Sequence, residues 1–319
     1  MGDRKCEEAM RVLDMANMLG DDQSREMVLE EIRIVEATLS MPTNTTTTTT
    51  TTTKKRIRRE EKDLIQPKKR IKTTLKGTEI PRVNAPSLLE FKSKIMKSRS
   101  PVIVTNAMNA WPAMKRWSDV SYLRRVAGHR TIPVEYGKHY MDSNWSQKLI
   151  RFDEFLRDHI YSTGKETAYL AQHRLFDQIP TLANDIMTPD YCCLQLDDKK
   201  TEDEVEINAW FGPAWTVSNL HHDPKHNLLA QVVGQKYIRL YKHEHSSGLY
   251  PHDGLMSNTS QVVDVENPTP STLKKFPLFH DTPFFDCVLK PGEMLYIPPK
   301  EWHYVRSLET SFSVSFWWS

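Results

Sequence analysis

Along the chain, the spacing of apolar positions changes character twice. In the first forty residues Val12, Met15 and Leu19, then Val28, Ile32, Val35 and Leu39, recur at three- and four-residue steps, the period of a helix. They predict a helical hairpin over residues 1–40, broken at Gly20. From about Thr78 the texture becomes short β-branched and aromatic runs separated by Pro, Gly, Asn and Asp, which is the pattern of strands and turns. Residues 87–97 and 151–160 still read as helices. Strands are predicted at 101–104, 207–211, 227–233, 236–241, 285–289, 293–298 and 311–317. Strands this closely spaced, with helices gathered at their amino side, predict a mainly β fold: a double-sheet β-barrel or jelly roll with a helical overlay.

Between these regions, Thr45 to Thr53 is an unbroken threonine run. It offers no apolar face, and β-branched side chains disfavour helix, so residues 41–78 are expected to be a disordered linker. That leaves 79–319 as one large domain.

Charge sharpens the picture of this linker. The 319 residues carry a formal net charge of only +2, yet 54–76 holds eleven Lys and Arg against Glu60, Glu61 and Asp63. The basic runs at 54–59 (KKRIRR) and 68–72 (KKRIK) predict a nuclear address, with a solvated spacer as the alternative. No aromatic residue accompanies them, so nothing there could stack on bases, and sequence-specific nucleic-acid binding is not expected. No apolar run approaches the roughly 18 residues of a spanning helix. The opening MGDRKCEEAM lacks the basic-then-apolar order of a secretory signal, so an intracellular protein without a membrane segment is expected. Cys6, Cys192, Cys193 and Cys287 are too scattered for a disulfide framework or a structural zinc site, and are expected to be free thiols.

The chemistry concentrates in Ser218 to Asn227, SNLHHDPKHN. If 221–223 is extended, His221 and Asp223 share a face and His222 points away, so His222 takes no ligand role. Pro224 weighs against a helical pairing of His222 with His226. His303, in PPKEWHYV after a predicted strand, is the best-placed third ligand. Two imidazoles and one carboxylate form the facial set that holds non-haem Fe(II) while leaving coordination positions open. In KYIRLY, Lys236 shares its parity with Ile238 and Leu240, so this cation faces the apolar side of its strand while Arg239 faces the other.

The stretches INAWFGP (207–213), LHHDPKHN (220–227), GQKYIRLY (234–241), YPHD (250–253), VDVENP (263–268), PGEMLYIPPKEWHYV (291–305) and SFSVSFWW (311–318) together resemble the Jumonji C family of oxygenases. The resemblance runs from about Ile80 to Ser319. It implies a double-stranded β-helix of the cupin type, with the core barrel at about 168–319. It assigns Fe(II) to His221, Asp223 and His303, and 2-oxoglutarate to Lys236, Tyr169, Ser218 and Asn227, with dioxygen as the other co-substrate. It also implies that Glu135, Trp145 and Trp210 surround an arginine side chain of a protein or peptide substrate, chromatin proteins included, because a guanidinium suits a carboxylate fork and an aromatic face. Arginyl hydroxylation is the leading expectation. Methyl-lysine demethylation, histone-tail peptidase action and a non-catalytic chromatin scaffold are the alternatives. Adjacent Cys192 and Cys193 are expected to be ordinary core or surface thiols, and the 316–318 FWW to serve packing.

Overall fold

The computed structural model describes residues 2–20, 22–39, 65, 71, 73–137, 144–161, 167–196 and 204–319. The threonine run, the first basic run and all of the second but one residue lie outside these.

Two helices, α1 (Gly2–Leu19) and α2 (Asp22–Leu39), form the expected hairpin. Its buried side differs from the expectation. Val12 and Leu19 are exposed at 57% and 84%, whereas Met10, Asp14 and Asn17 are buried. The apolar stripe of α1 was a poor guide because the helix docks through polar side chains.

The rest is β-rich. Its strands are β1 (Thr78–Glu79), β2 (Arg82–Asn84), β3 (Val102–Thr105), β4 (Thr131–Tyr136), β5 (Ser146–Arg151), β6 (Ala168–His173), β7 (Glu206–Gly212), β8 (Val217–His221), β9 (His226–Val233), β10 (Lys236–Tyr241), β11 (Phe285–Leu289), β12 (Glu293–Ile297), β13 (Trp302–Ser307) and β14 (Ser311–Trp318). A five-stranded sheet runs β1-β11-β10-β13-β8, and a nine-stranded sheet runs β2-β3-β12-β9-β14-β7-β6-β4-β5. The last eight strands contribute four to each sheet, so the chain is a jelly roll, as its pattern predicted.

Alternation along the strands sorts the side chains into layers. Ile238, Leu240, Leu295, Ile297 and Val305 pack between the two sheets. The other face of the nine-stranded sheet buries Phe312, Val314, Phe316 and Trp318 beneath the helical overlay. Tyr237, Tyr241, Trp302 and Tyr304 form a third cluster behind the five-stranded sheet. Arg239 does lie opposite Lys236 but is itself buried, donating from Nη1 to the Val265 carbonyl with its guanidinium 4.1 Å from the Phe284 ring centroid.

The two predicted overlay helices are each one short α-helical segment running into a wide π-type turn, Leu88–Glu90 into Phe91–Met96 and Phe152–Phe155 into Leu156–Tyr161. The β9–β10 turn uses Gly234 at φ +71°, where an added Cβ would sit 2.1 Å from the Thr310 carbonyl oxygen. All four cysteines are free. Cys192 is buried and Cys193 exposed at the end of a 3₁₀ turn. No helix among the described residues is long and apolar enough to cross a membrane.

Candidate metal and co-substrate site

His221 ends β8 and His303 sits in β13. The two strands are antiparallel neighbours, and these two residues are direct cross-strand partners. This pairing sets their ring centroids 4.2 Å apart. Asp223, two residues beyond His221, brings Oδ2 within 3.5 Å of His303 Nε2 and 3.9 Å of His221 Nε2. One ligand atom from each of the three residues lies within 4.8 Å of the others.

Each ring is oriented by the carbonyl two residues before it. His221 Nδ1 lies 2.6 Å from the Asn219 oxygen, and His303 Nδ1 lies 3.0 Å from that of Glu301. A carbonyl only accepts, so Nδ1 carries the proton and Nε2 presents its lone pair, as a metal-binding imidazole must. Burial, with His221 beside it, pushes His303 down to about 4 and keeps that ring neutral. Asp223 Oδ2 is buried with no hydrogen-bond donor. An orphaned carboxylate oxygen between two bare imidazole nitrogens is unfavourable unless a cation completes it, so the donor set fits a divalent metal. His222 instead packs edge-on against Trp302, 4.6 Å between centroids.

Lys236 lies deeper in the same cavity, 1% exposed. Its ammonium donates to Tyr169 Oη at 3.2 Å and has no acidic partner among the described residues. Burial lowers it from an ordinary 10.5 to about 7. Ser218, hydrogen-bonded to Tyr169, and Asn227, with Oδ1 unpartnered, line the space between Lys236 and the metal ligands. An unpaired buried ammonium flanked by hydroxyls is the complement of a carboxylate, so the pocket also fits an anionic co-substrate.

The substrate-side residues divide. Trp210 lines this cavity, 6.1 Å from the Tyr169 ring, with Nε1 donating to Ser315 Oγ. Glu135 and Trp145 sit next door on the flap made by β4 and the turn before β5. Glu135 is the cross-strand partner of Tyr169, and Trp145 Nε1 donates to its Oε2 at 3.3 Å. Burial raises the Glu135 carboxyl above its ordinary value, and the indole donor opposes that rise. Five further residues line the cavity that the sequence pattern did not assign to it: the apolar Leu229, Ile297 and Val305, and Ser315 and Trp317. For the last two the signal was there: β14 alternates, placing Phe316 and Trp318 in the core, so Trp317 belongs with the serines on the other face and does not share their packing role.

A model of the Cupin-like domain matches residues 88–319. The chain belongs to the cupin-like Jumonji C family. Its similar relatives include "Lysine-specific demethylase 8" of Danio rerio, 54% identical over 76% of this chain and 58% of that protein. "Jumonji C domain-containing protein 5" of Drosophila melanogaster is 46% identical over 75% of this chain and 60% of that protein. "Lysine-specific demethylase JMJ30" of Arabidopsis thaliana is 51% identical over 69% and 50% respectively. The chain thus spans only 50–60% of the length of these relatives. Jumonji C oxygenases use Fe(II), 2-oxoglutarate and dioxygen, and the donor set and the unpaired Lys236 fit the first two.

Proposed function

We propose that the protein is an Fe(II)- and 2-oxoglutarate-dependent protein oxygenase that hydroxylates a carbon of arginine residues. Bound iron would supply dioxygen activation, coupled to oxidative decarboxylation of 2-oxoglutarate to succinate and CO2, with one oxygen atom entering the substrate C–H bond. His221, Asp223 and His303 would hold the metal on one side only. Lys236, Tyr169 and Ser218 would receive the distal carboxylate of 2-oxoglutarate, and Asn227 would stand near its chelating end. Lys236 is 1% exposed, and the low dielectric around it would strengthen its pairing with that carboxylate.

The observation that carries the arginine reading is Glu135, a partly buried acid with an indole donor, the cross-strand partner of Tyr169, which lines the metal cavity. A guanidinium supplies two parallel donors to a carboxylate and lies flat against an aromatic ring such as Trp145 or Trp210. Positioning by these groups would select the carbon that is oxidised. The relatives' names support a second reading, methyl-lysine demethylation, in which the same oxidation falls on an N-methyl group. A methylated ammonium prefers an aromatic cage to a fork-accepting acid, which favours arginine. Incubating the metal-loaded protein with 2-oxoglutarate and matched arginine and methyl-lysine peptides separates the two by mass spectrometry. A gain of one oxygen on arginine is expected. Loss of a methyl group, or chain cleavage without oxidation, would refute the assignment. The basic runs at 54–59 and 68–72 support a nuclear address; deleting them should spread the protein into the cytoplasm, and an unchanged distribution would discard that idea.

A further inference from the structure

The helical hairpin is joined to the flap that carries Glu135 and Trp145 by a buried polar cluster. Asp14 of α1 is fully buried and accepts four hydrogen bonds: from Arg130 Nε at 2.9 Å, Arg130 Nη2 at 2.7 Å, Gln178 Nε2 at 2.9 Å and the Thr131 amide at 2.6 Å. Gln178 Nε2 also donates to the Thr131 carbonyl at 2.7 Å. Both backbone groups of the first residue of β4 are therefore held by side chains. Arg130, 2% exposed, reaches Glu36 of α2 as well, at 3.3 Å. On the partner strand, Arg151, which faces Thr131 across the ladder, donates to Glu7 of α1 at 2.6 Å.

Topology explains why these contacts matter. The β4–β5 pair is the outermost part of the nine-stranded sheet, and β4 meets β6 only through Glu135 and Tyr136. At its Thr131 end, β4 has no strand on that side, and Asp14 and Gln178 stand where one would be. The ladder to β6 holds the Glu135 end of this flap; towards its other end Ile132 and Val134 pack in the core and the Thr131 backbone is held by side chains, so loosening that end would shift the substrate-facing acid. A buried ion pair holds direction as well as distance, which apolar docking of the same helix would not do.

We infer that the α1–α2 hairpin is a clamp on the substrate side of the site, with Asp14 and Arg130 as positioning residues that act through β4 on Glu135 and Trp145. This rests on the arginine reading above, and the controls keep the two apart. The metal-loaded wild-type chain of 319 residues is assayed first. If it does not oxidise an arginine peptide, that reading fails, and the clamp is then judged on backbone exchange alone.

In Asp14→Asn one acceptor oxygen becomes a donor amide facing donors. The expected result is a KM for the arginine peptide raised about tenfold while the KM for 2-oxoglutarate stays within about twofold, because only the flap is displaced. Amide hydrogen exchange should quicken at 131–136 and not at 293–297. Glu7→Gln alters a partly exposed pair and leaves the buried cluster intact, so it serves even if Asp14→Asn does not fold; a smaller shift of the same kind is expected. Unchanged peptide KM and exchange in a folded Asp14→Asn, or in Glu7→Gln should the first not fold, would overturn the clamp. So would parallel losses for peptide and 2-oxoglutarate, which mark a structural role only.

Discussion

Replacing Lys236 by Met should stabilise the protein and cripple its co-substrate binding at once. Lys236 is buried without a counter-charge, and its pKa falls from 10.5 to about 7. At about 1.4 kcal/mol per unit, a neutral-pH solution withholds on the order of 4 kcal/mol of folding free energy at this one position. The sign follows from which state binds protons more readily. Above about 10.5 the amine is neutral in both states and the penalty vanishes; it grows as pH falls toward 7 and is constant below, so stability rises with pH across that window. Met of similar length removes the penalty, and the thermal midpoint of Lys236→Met without co-substrate should lie above that of wild type at pH 7.5.

Binding a carboxylate restores the ammonium. At pH 8 the amine is about nine-tenths neutral, so 2-oxoglutarate binding should take up close to one proton, and affinity should fall by about tenfold per pH unit above 7. Loss of the charge-assisted bonds should weaken binding in Lys236→Met by about 1.5–3 kcal/mol, or roughly 10- to 150-fold. Calorimetry on the Mn(II)-loaded protein in two buffers of different ionisation enthalpy reads both quantities. No proton uptake, or a variant that melts lower yet binds 2-oxoglutarate as wild type does, would refute the argument.

Three further outcomes are expected. Asp223→Asn should lower divalent-metal affinity by at least about tenfold in a Mn(II) titration, because it replaces a charged donor by a neutral one; a folded variant with unchanged affinity would remove Asp223 from the ligand set. Glu135→Gln should raise the KM for an arginine peptide with little change in that for 2-oxoglutarate. The wild-type peptide KM should also rise as pH falls through the elevated Glu135 pKa and its carboxylate protonates, so a flat profile would argue against an ion pair there. Asp286, fully buried and accepting from the Lys76 and Gly77 amides and Tyr237 Oη, ties the residues entering β1 to β11. Asp286→Ala should cost about 3 kcal/mol in denaturant unfolding, and a loss below about 1 kcal/mol would mean that those donors find water.

Much of the barrel was legible because its strands obey a simple period. The β10 and β11 boundaries coincide with the expected runs, and the parity of KYIRLY placed Lys236 among inward residues. The 221–223 face argument also predicted the right neighbours although β8 ends at His221: Asp223 Oδ2 lies 3.9 Å from His221 Nε2, and His222 turns to Trp302. Other features were invisible for physical reasons. The clamp on β4 is made of Asp14, Arg130 and Gln178, and a hydrophobic pattern carries no trace of a polar interface. The turns at 91–96 and 156–161 differ from α-helix by one residue of hydrogen-bond reach, a difference to which apolar spacing is nearly blind. Trp317 was read with its neighbours as packing, although strict alternation in β14 separates it from them.

The cross-strand pairing of His221 with His303 also bears on how the protein is made. During synthesis, β8 leaves the ribosome long before β13, so for that interval a nascent chain offers only part of the donor set. Ferrous ion would find no complete seat until the distant strand has docked in the right register, and a slip of one residue would turn the later imidazole to the opposite face. A complete donor set therefore exists only once β8 and β13 have paired in this register.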